Sequence, residues 1–556
     1  MHIQPLPPRG AQPGGETPAS SKPQASLSSA EDNAQRALAR DPRTWAQTPE
    51  GMARFAGDLD LASLAERESF ARTRGPLPPG SAPGTAAIVL ERALSELGPA
   101  TLPERGLGER RALELVSGVL ARHGLDLSHP NAVAHLQPPT LAVAAAADTL
   151  ASVVNSSVDT FDSGPSSVAI ERWVVEALID LAGLGADADG VLTPGGSMSN
   201  LLGLLLARDS AARRLGIDAR RDGVAGLRRP VVLCSAVAHF SVHRACAALG
   251  LGEGAVVPVP VDRCRRMDTA ALRRCLAELD DDQTPIAIIA TAGTTDFGSV
   301  DPLVELATIA HERGVWFHVD AAYGFGALFS RRLAPRLEGL HFADSITLDL
   351  HKLGWQPAAT SVLLVAKPDA FASTERNVEY LNPLDEAQAG YTGLLGRSLQ
   401  TTRRADAVKV AATFLGLGRA GLGAMVDACH ELARHGQAWI LDHPELELVC
   451  AAELTTIVFR YRPRLDTAEA NPESESASES ESERLDRVNA AIRRRLLASG
   501  EALVGRTRVD VPGEPSRLCL KFTLINPRTR PEQLEALLER IVATGRRELE
   551  AQETPE

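Results

Sequence analysis

From residue 190 onward the sequence alternates short, unbroken apolar runs with longer stretches of helical periodicity. The runs are GVLT (190–193), PVVLC (230–234), AVVPVPV (255–261), IAIIATA (286–292), VWFHVD (315–320), SITLD (345–349) and SVLLVA (361–366). Continuous apolar strands spaced by helices predict an α/β fold with a mostly parallel, seven-stranded sheet covered on both faces. Upstream, AGDLDLASLAERESFAR, AAIVLERALSELG and RALELVSGVLARHG carry helical spacing and predict a helical N-terminal arm over 46–125. Downstream, helical stretches from about Thr402 to His435 precede a smaller α+β pattern of LELVCAAELTTIVFRY, RLDRVNAAIRRRLLASG, RLCLKFTLI and PEQLEALLERIVATGRRELE. A large domain over 126–400 and a small C-terminal domain over 401–556 follow from these patterns.

Composition sets limits on this picture. At 556 residues the chain is too long for one small core. Residues 1–45 are rich in Pro, Gly, Ser and Gln without apolar periodicity and predict a disordered tail. PESESASESESE, within 466–484, predicts a disordered acidic insertion in the small domain, with seven carboxylates between Asp466 and Glu483. A net charge of −13 argues against nucleic acid or an anionic membrane as partner, and 4% aromatic residues argue against base-stacking surfaces. Seven cysteines, odd in number and never spaced as CxxC, predict reduced thiols, no zinc site and a cytoplasmic location. The N-terminus lacks the apolar core of a signal peptide, and no apolar run reaches membrane-spanning length.

Polar residues cluster where the strands end. His239 and Ser241 follow PVVLC, Thr294 and Thr295 follow IAIIATAG, Asp320 closes VWFHVD, and His351-Lys352 follows SITLD. In parallel sheets chemistry gathers at carboxyl ends. Each residue alone also has a plain structural explanation: Lys352 as a surface lysine at a strand exit, Asp320 as a helix cap, Thr-Pro-Gly-Gly-Ser (193–197) as an ordinary strand–turn–helix. Together they supply the parts of a pyridoxal phosphate site. Lys352 would form the Schiff base, and Asp320 would keep the pyridine nitrogen protonated. Gly195, Gly196 and Ser197, with Thr295, would cradle the phosphate at a helix N-terminus, and His239 would lie flat against the ring. Two other motifs carry no chemistry. GLGRAG (416–421) lacks the strand–turn–helix context of a dinucleotide site and predicts a Gly-rich turn between helices. HELARH (430–435) has one residue too many for a zinc helix.

HPNAVAHLQPP, SGPSSVAIE, GVLTPGGSMSNLLGLLLARD, AHFSVHRACAALGLG, GTTDFGSVDPL, WFHVDAAYG, ADSITLDLHK and SLQTTRRADAVK run in order from about residue 128 to 420. This series resembles the group II pyridoxal-phosphate-dependent amino-acid decarboxylases. The resemblance implies a fold-type-I homodimer with active sites at the subunit interface. It implies that Lys352, Asp320 and His239 act as described, that Gly196, Ser197, Thr295 and His351 lie near the phosphate, and that Ala322 packs on the ring's other face. Tyr380, in EYLNP, matches the family's mobile-loop tyrosine that protonates the α-carbon, with Tyr391 as the alternate. His135 and Gln137, in HPNAVAHLQPP, fall on the substrate side.

Two features resemble the L-2,4-diaminobutyrate branch of the family: the Gln-Pro after the lysine in DLHKLGWQP, and the loop NSSVDTFDSGP. They imply that Asp159, with Asp162 as a helper, receives the distal ammonium of a diamino acid from the neighbouring subunit. Aromatic, acidic and lysine- or ornithine-type substrates, other fold-type-I reactions such as transamination or carbon–carbon cleavage, and a non-catalytic relative of the same fold remain the alternatives. Ala405 and Val410 stand where the family pattern has larger residues, and Pro194 precedes the glycine pair.

Overall fold

The computed structural model describes residues 41–72, 75–77, 86–376, 378–463, 481–510 and 515–553. Contacts divide the chain into two units, up to Asp60 and from Leu61 onward. The first contains a tight turn at Pro42–Thr44 and the start of helix α1 (Pro49–Arg72). Asp41 caps the turn, accepting from the Arg43 amide at 2.9 Å, and Pro42 suits the first helical position. Residues 41–45 are therefore structured where the tail was expected to continue; residues 1–40 lie outside the described residues.

The second unit begins with α2 (Ala86–Leu97) and α3 (Glu109–His123), joined by His123 Nε2 at 3.1 Å from Glu96 Oε1. Helices α4 (Ala142–Val154) and α5 (Pro165–Ala182) precede strand β1 (Asp189–Thr193), and α6 (Gly196–Arg214) follows it. Next come β2 (Pro230–Ser235), α7 (Ser241–Ala248), β3 (Val256–Val259), α8 (Thr269–Ala277), β4 (Thr284–Thr291) and α9 (Leu303–Glu312). β5 (Trp316–Asp320), β6 (Ser345–Asp349) and β7 (Ser361–Val365) complete a seven-stranded sheet of order β1-β7-β6-β5-β4-β2-β3. β7 is antiparallel to both neighbours and the remaining pairs are parallel.

Successive strand residues point to opposite faces, and both faces are covered. Val231, Leu233, Phe317 and Leu364 join a core with α5, α8 and α9. Val232, Cys234, Ile289 and Leu363 join a second core with α6 and α7. This two-sided burial is why the strands read as unbroken apolar runs.

Helix α10 (Ala407–Asp442) leads to a four-stranded antiparallel sheet of β8 (Leu446–Cys450), β9 (Thr456–Tyr461), β10 (Gly505–Val509) and β11 (Arg517–Thr523). Helices α11 (Glu481–Ser499) and α12 (Pro531–Glu553) accompany it, and Phe459, Phe522, Leu496 and Leu538 share its core. The expected acidic insertion ends earlier than 484. Glu481 and Glu483 occupy the first turn of α11, where carboxylates oppose the helix dipole, while Leu485 and Val488 bury its inner face. Residues 464–480 lie outside the described residues. GLGRAG sits inside α10, and Gly418 (φ 60°, ψ −179°) kinks it into two helical runs. No helix among the described residues is long and apolar enough to cross a membrane.

One buried ion pair ties the segment just before α10 to α5 and β1. Arg403 Nη1 donates to Glu171 Oε1 at 2.8 Å and to the Leu192 carbonyl at 3.1 Å, and Leu192 N–H donates to the same Glu171 oxygen at 3.2 Å. Both side chains are buried, and burial pushes the Glu171 carboxyl up while Arg403 draws it back. Arg403→Met would strand a carboxylate without its partner and is expected to cost about 3 kcal/mol, read as a lower urea midpoint at unchanged m-value. The double variant Glu171→Met/Arg403→Met is expected to recover most of that loss; equal midpoints for Arg403→Met and the parent chain would contradict the assignment.

Candidate active site

Strand β6 ends on Asp349, and the chain turns at once through Leu350, His351 and Lys352. The turn brings Lys352 Nζ to 3.0 Å from Asp349 Oδ2, so the lysine amine is held by a carboxylate that is itself 3% exposed. His351 Nε2 stands 3.7 Å from the same oxygen, and its Nδ1 lies 2.9 Å from the Thr360 carbonyl oxygen. Asp349 Oδ1 is buried and has no hydrogen-bond partner among the described residues. Such an atom in a native interior calls for a partner.

Opposite this turn, β1 passes through Pro194 and Gly195 into α6. Gly195 has φ +115°, open to glycine but not to larger residues. A Cβ on Gly196 would stand 2.8 Å from Asp349 Oδ2, so glycine is what lets the helix start approach the lysine's carboxylate. The fresh N-terminus of α6 presents unpaired N–H groups and the positive end of its dipole.

A cavity of about 270 Å³ lies between these pieces. Lys352 and His351 line it, as do Gly196 and Ser197. Asp320, Ala322, His239 and Thr295 also line it. Asp320, 5% exposed, ends β5, where its Oδ2 accepts from Asn200 Nδ2 at 2.8 Å and its Oδ1 from the Ala322 amide at 3.1 Å. His239 Nδ1 lies 2.9 Å from Ser241 Oγ, which fixes the plane of the ring. Burial holds that imidazole below its usual range, with Asp320 opposing.

These groups fit pyridoxal phosphate. The amine can condense with the aldehyde, the carboxylate can hold a protonated ring nitrogen, the helix start can take the phosphate, and a flat imidazole ring is available for stacking.

The remaining sequence candidates lie elsewhere in the single chain. Tyr380 is 81% exposed and does not line the cavity. Asp159 and Tyr391 line a separate cavity of about 550 Å³ with Arg172 and Arg397. Asp159 is buried there, accepting from Ser157 Oγ and, at 3.4 Å, from Ser163 Oγ, while Asp162 accepts from Thr160 Oγ1 at 2.6 Å. His135 and Gln137 are exposed and are not among the cavity's walls. Sequence reasoning missed Asp349, Asn200 and His318. Asp349 was visible three residues before the lysine; Asn200 and His318 carried only their spacing, four residues after Gly196 and two before Asp320.

Residues 93–462 match the family model described as the pyridoxal-dependent decarboxylase conserved domain. The chain is 39% identical over 466 residues to an L-2,4-diaminobutyrate decarboxylase of Rhizobium meliloti, covering 83% of this chain and 87% of the relative. It is 32% identical over 454 residues to an enzyme of the same name from Acinetobacter baumannii, covering 80% and 85%. Among solved structures it is similar to the glutamate decarboxylase domain of the diaminobutyrate-pyruvate transaminase and L-2,4-diaminobutyrate decarboxylase of Vibrio parahaemolyticus. That match has a TM-score of 0.77 at 29% identity, covering 92% of this chain and 99% of the other. With the family model spanning most of the length and the lysine, acid and glycine turn gathered round one cavity, the chain belongs to the pyridoxal-dependent decarboxylases, as an amino-acid carboxy-lyase that uses pyridoxal phosphate.

Proposed function

We propose that the chain removes the α-carboxyl group of an L-diamino acid, with 2,4-diaminobutyrate as the type, at a site centred on Lys352 and completed by a second copy of the chain. The observation that carries the site is the convergence of Lys352, Asp320 and the start of α6 on one cavity. Bound pyridoxal phosphate supplies the electron sink for the bond that breaks. Lys352 provides the attaching amine, poised by Asp349 at 3.0 Å. Asp320 provides the anion beside the ring nitrogen. Gly196, Ser197, Thr295 and His351 would hold the phosphate and His239 and Ala322 would pack on the ring, which would orient the breaking bond.

Asp159, Tyr380, His135 and Gln137 stand outside this chain's own cavity, so their roles need a neighbouring subunit or a shift of the 376–397 segment. In that arrangement Tyr380 delivers the proton to the α-carbon and Asp159 receives the substrate's distal ammonium, with His135 and Gln137 on the substrate side. A homodimer is therefore part of the proposal. So is a cytoplasmic location, for which the odd number of cysteines, none spaced as CxxC, argues. For the substrate, support comes from the two relatives named L-2,4-diaminobutyrate decarboxylase and from the carboxylate-bearing 155–165 loop.

The test is carbon dioxide release by the purified enzyme across diaminobutyrate, ornithine, lysine, glutamate and dopa. Diaminobutyrate is expected to give the highest kcat/KM, and Asp159→Asn is expected to lower it roughly 100-fold, since a charge-assisted contact in a desolvated pocket is lost. A preference for glutamate or dopa would overturn the substrate assignment while leaving the cofactor site intact.

A further inference from the structure

Behind Asp320 lies a chain of buried hydrogen bonds that reaches across the face of the sheet. Trp316, His318 and Asp320 alternate along β5 and so share one face. Ser345 of β6 sits directly beside His318 in the parallel register. Asn200 of α6 covers them, and the helix can come this close because residue 203 is glycine: a Cβ there would stand 2.8 Å from His318 Cε1. Asn200, His318 and Ser345 are each 2% exposed or less.

The direction of each bond follows from what each group can give. Asn200 spends its two amide hydrogens on Asp320 Oδ2 at 2.8 Å and Ser241 Oγ at 2.9 Å. Its Oδ1 can only accept, so His318 Nε2, at 3.0 Å, carries a hydrogen and donates it. At the other end Trp316 Nε1 donates to Ser345 Oγ at 2.8 Å. The serine's own hydrogen then serves His318 Nδ1, at 2.7 Å. A neutral imidazole protonated at Nε2 satisfies every member of the series. Burial lowers this imidazole to about 4 against the pull of Asp320, which agrees with a neutral ring.

Asn200 matters because an amide has two faces. Turned over, it would aim its oxygen at the Asp320 carboxylate and lose the bond that fixes Oδ2. The His318 hydrogen makes that rotation unfavourable, since it would then meet an N–H donor. We propose that His318 is a positioning residue, which locks Asn200 and through it holds the Asp320 carboxylate in the orientation that recognises a protonated ring nitrogen. This rests on the assignment of Asp320 to that nitrogen.

The test compares full-length parent, His318→Phe and His318→Gln for binding of pyridoxal phosphate and of the analogue in which ring N–H is replaced by C–H. The parent is expected to prefer the natural cofactor by roughly 10- to 100-fold, the range for a hydrogen bond to a charged group. His318→Phe is expected to lose most of that preference while binding the analogue as the parent does, and His318→Gln, which keeps an amide donor, is expected to restore part of it. A preference undiminished in His318→Phe overturns the positioning role and leaves the Asp320 assignment standing. Absence of preference in the parent overturns the Asp320 assignment itself. If His318→Phe does not fold, the imidazole nitrogen resonances of the ¹⁵N-histidine-labelled parent decide. A neutral ring protonated at Nε2 is expected at neutral pH, and a charged ring or one protonated at Nδ1 overturns the proposal.

Discussion

Lys352→Ala is expected to abolish decarboxylation, lowering kcat by roughly 10⁴-fold or more, the scale on which removal of an attacking nucleophile acts. Among the described residues the lysine supplies the one side-chain amine in the cavity walls, and it is placed there by a strand that ends on its own ion-pair partner, Asp349, 3.0 Å away. Removing the amine takes away the covalent attachment of the cofactor, not merely a contact with it. Two measurements check this together: carbon dioxide release from the preferred amino acid, and hydride reduction followed by peptide mapping. In the parent chain the reduced cofactor is expected on the peptide containing Lys352; in the variant no label is expected anywhere. Label on a different lysine of the parent would remove the basis for the whole site. Lys409 and Lys521, the buried lysines among the described residues, are poor competitors, because neither lines that cavity.

The sheet and the residues at its carboxyl ends were legible in the sequence for one physical reason. Strands buried on both faces must be apolar throughout, so a polar residue terminating such a run stands out, as Asp320 and Lys352 do. That contrast vanishes where a polar group is satisfied within an element. Asn200 lies in the Leu-rich helix α6 and His318 in mid-strand, and both are explained by partners remote in the chain: Ser241 and Asp320 for Asn200, Ser345 and Asn200 for His318, between 27 and 120 residues away. Strand order was also hidden: β1 pairs with β7, at the far end of the sheet segment in sequence, and β7 reverses direction without any change in its apolar pattern.

Asp159 and Tyr380 show a different limit. Their types and spacing mark them as candidates, but the roles proposed for them draw on two subunits and cannot be read from either one alone. The structure of one chain leaves Asp159 in a different cavity and Tyr380 in solvent. The ends of the N-terminal tail and the acidic insertion were misjudged for a local reason. Asp41 before proline, and Glu481 with Glu483 before an apolar face, are turn- and helix-starting signals inside stretches whose composition looked uniform.

Asp320→Asn is expected to reduce kcat/KM for carbon dioxide release by roughly 10³-fold, comparable to removing a preorganised charge-stabilising group from other active sites. The exchange is nearly isosteric, so the cavity should keep its shape, but two things are lost at once. The negative charge that favours a protonated ring nitrogen disappears, and with it the withdrawal of electrons from the breaking bond. The new amide also meets two fixed donors, Asn200 Nδ2 at 2.8 Å and the Ala322 N–H at 3.1 Å, and can accept from only one of them. The amine of Lys352 is untouched by either change, so hydride reduction should still label it. That separates this variant from Lys352→Ala: attachment without turnover in one, neither in the other. If Asp320→Asn retained activity within about tenfold of the parent, the ring-nitrogen role would have to be withdrawn, and with it the purpose assigned to the buried hydrogen bonds that run from Trp316 through Ser345, His318 and Asn200 to that carboxylate.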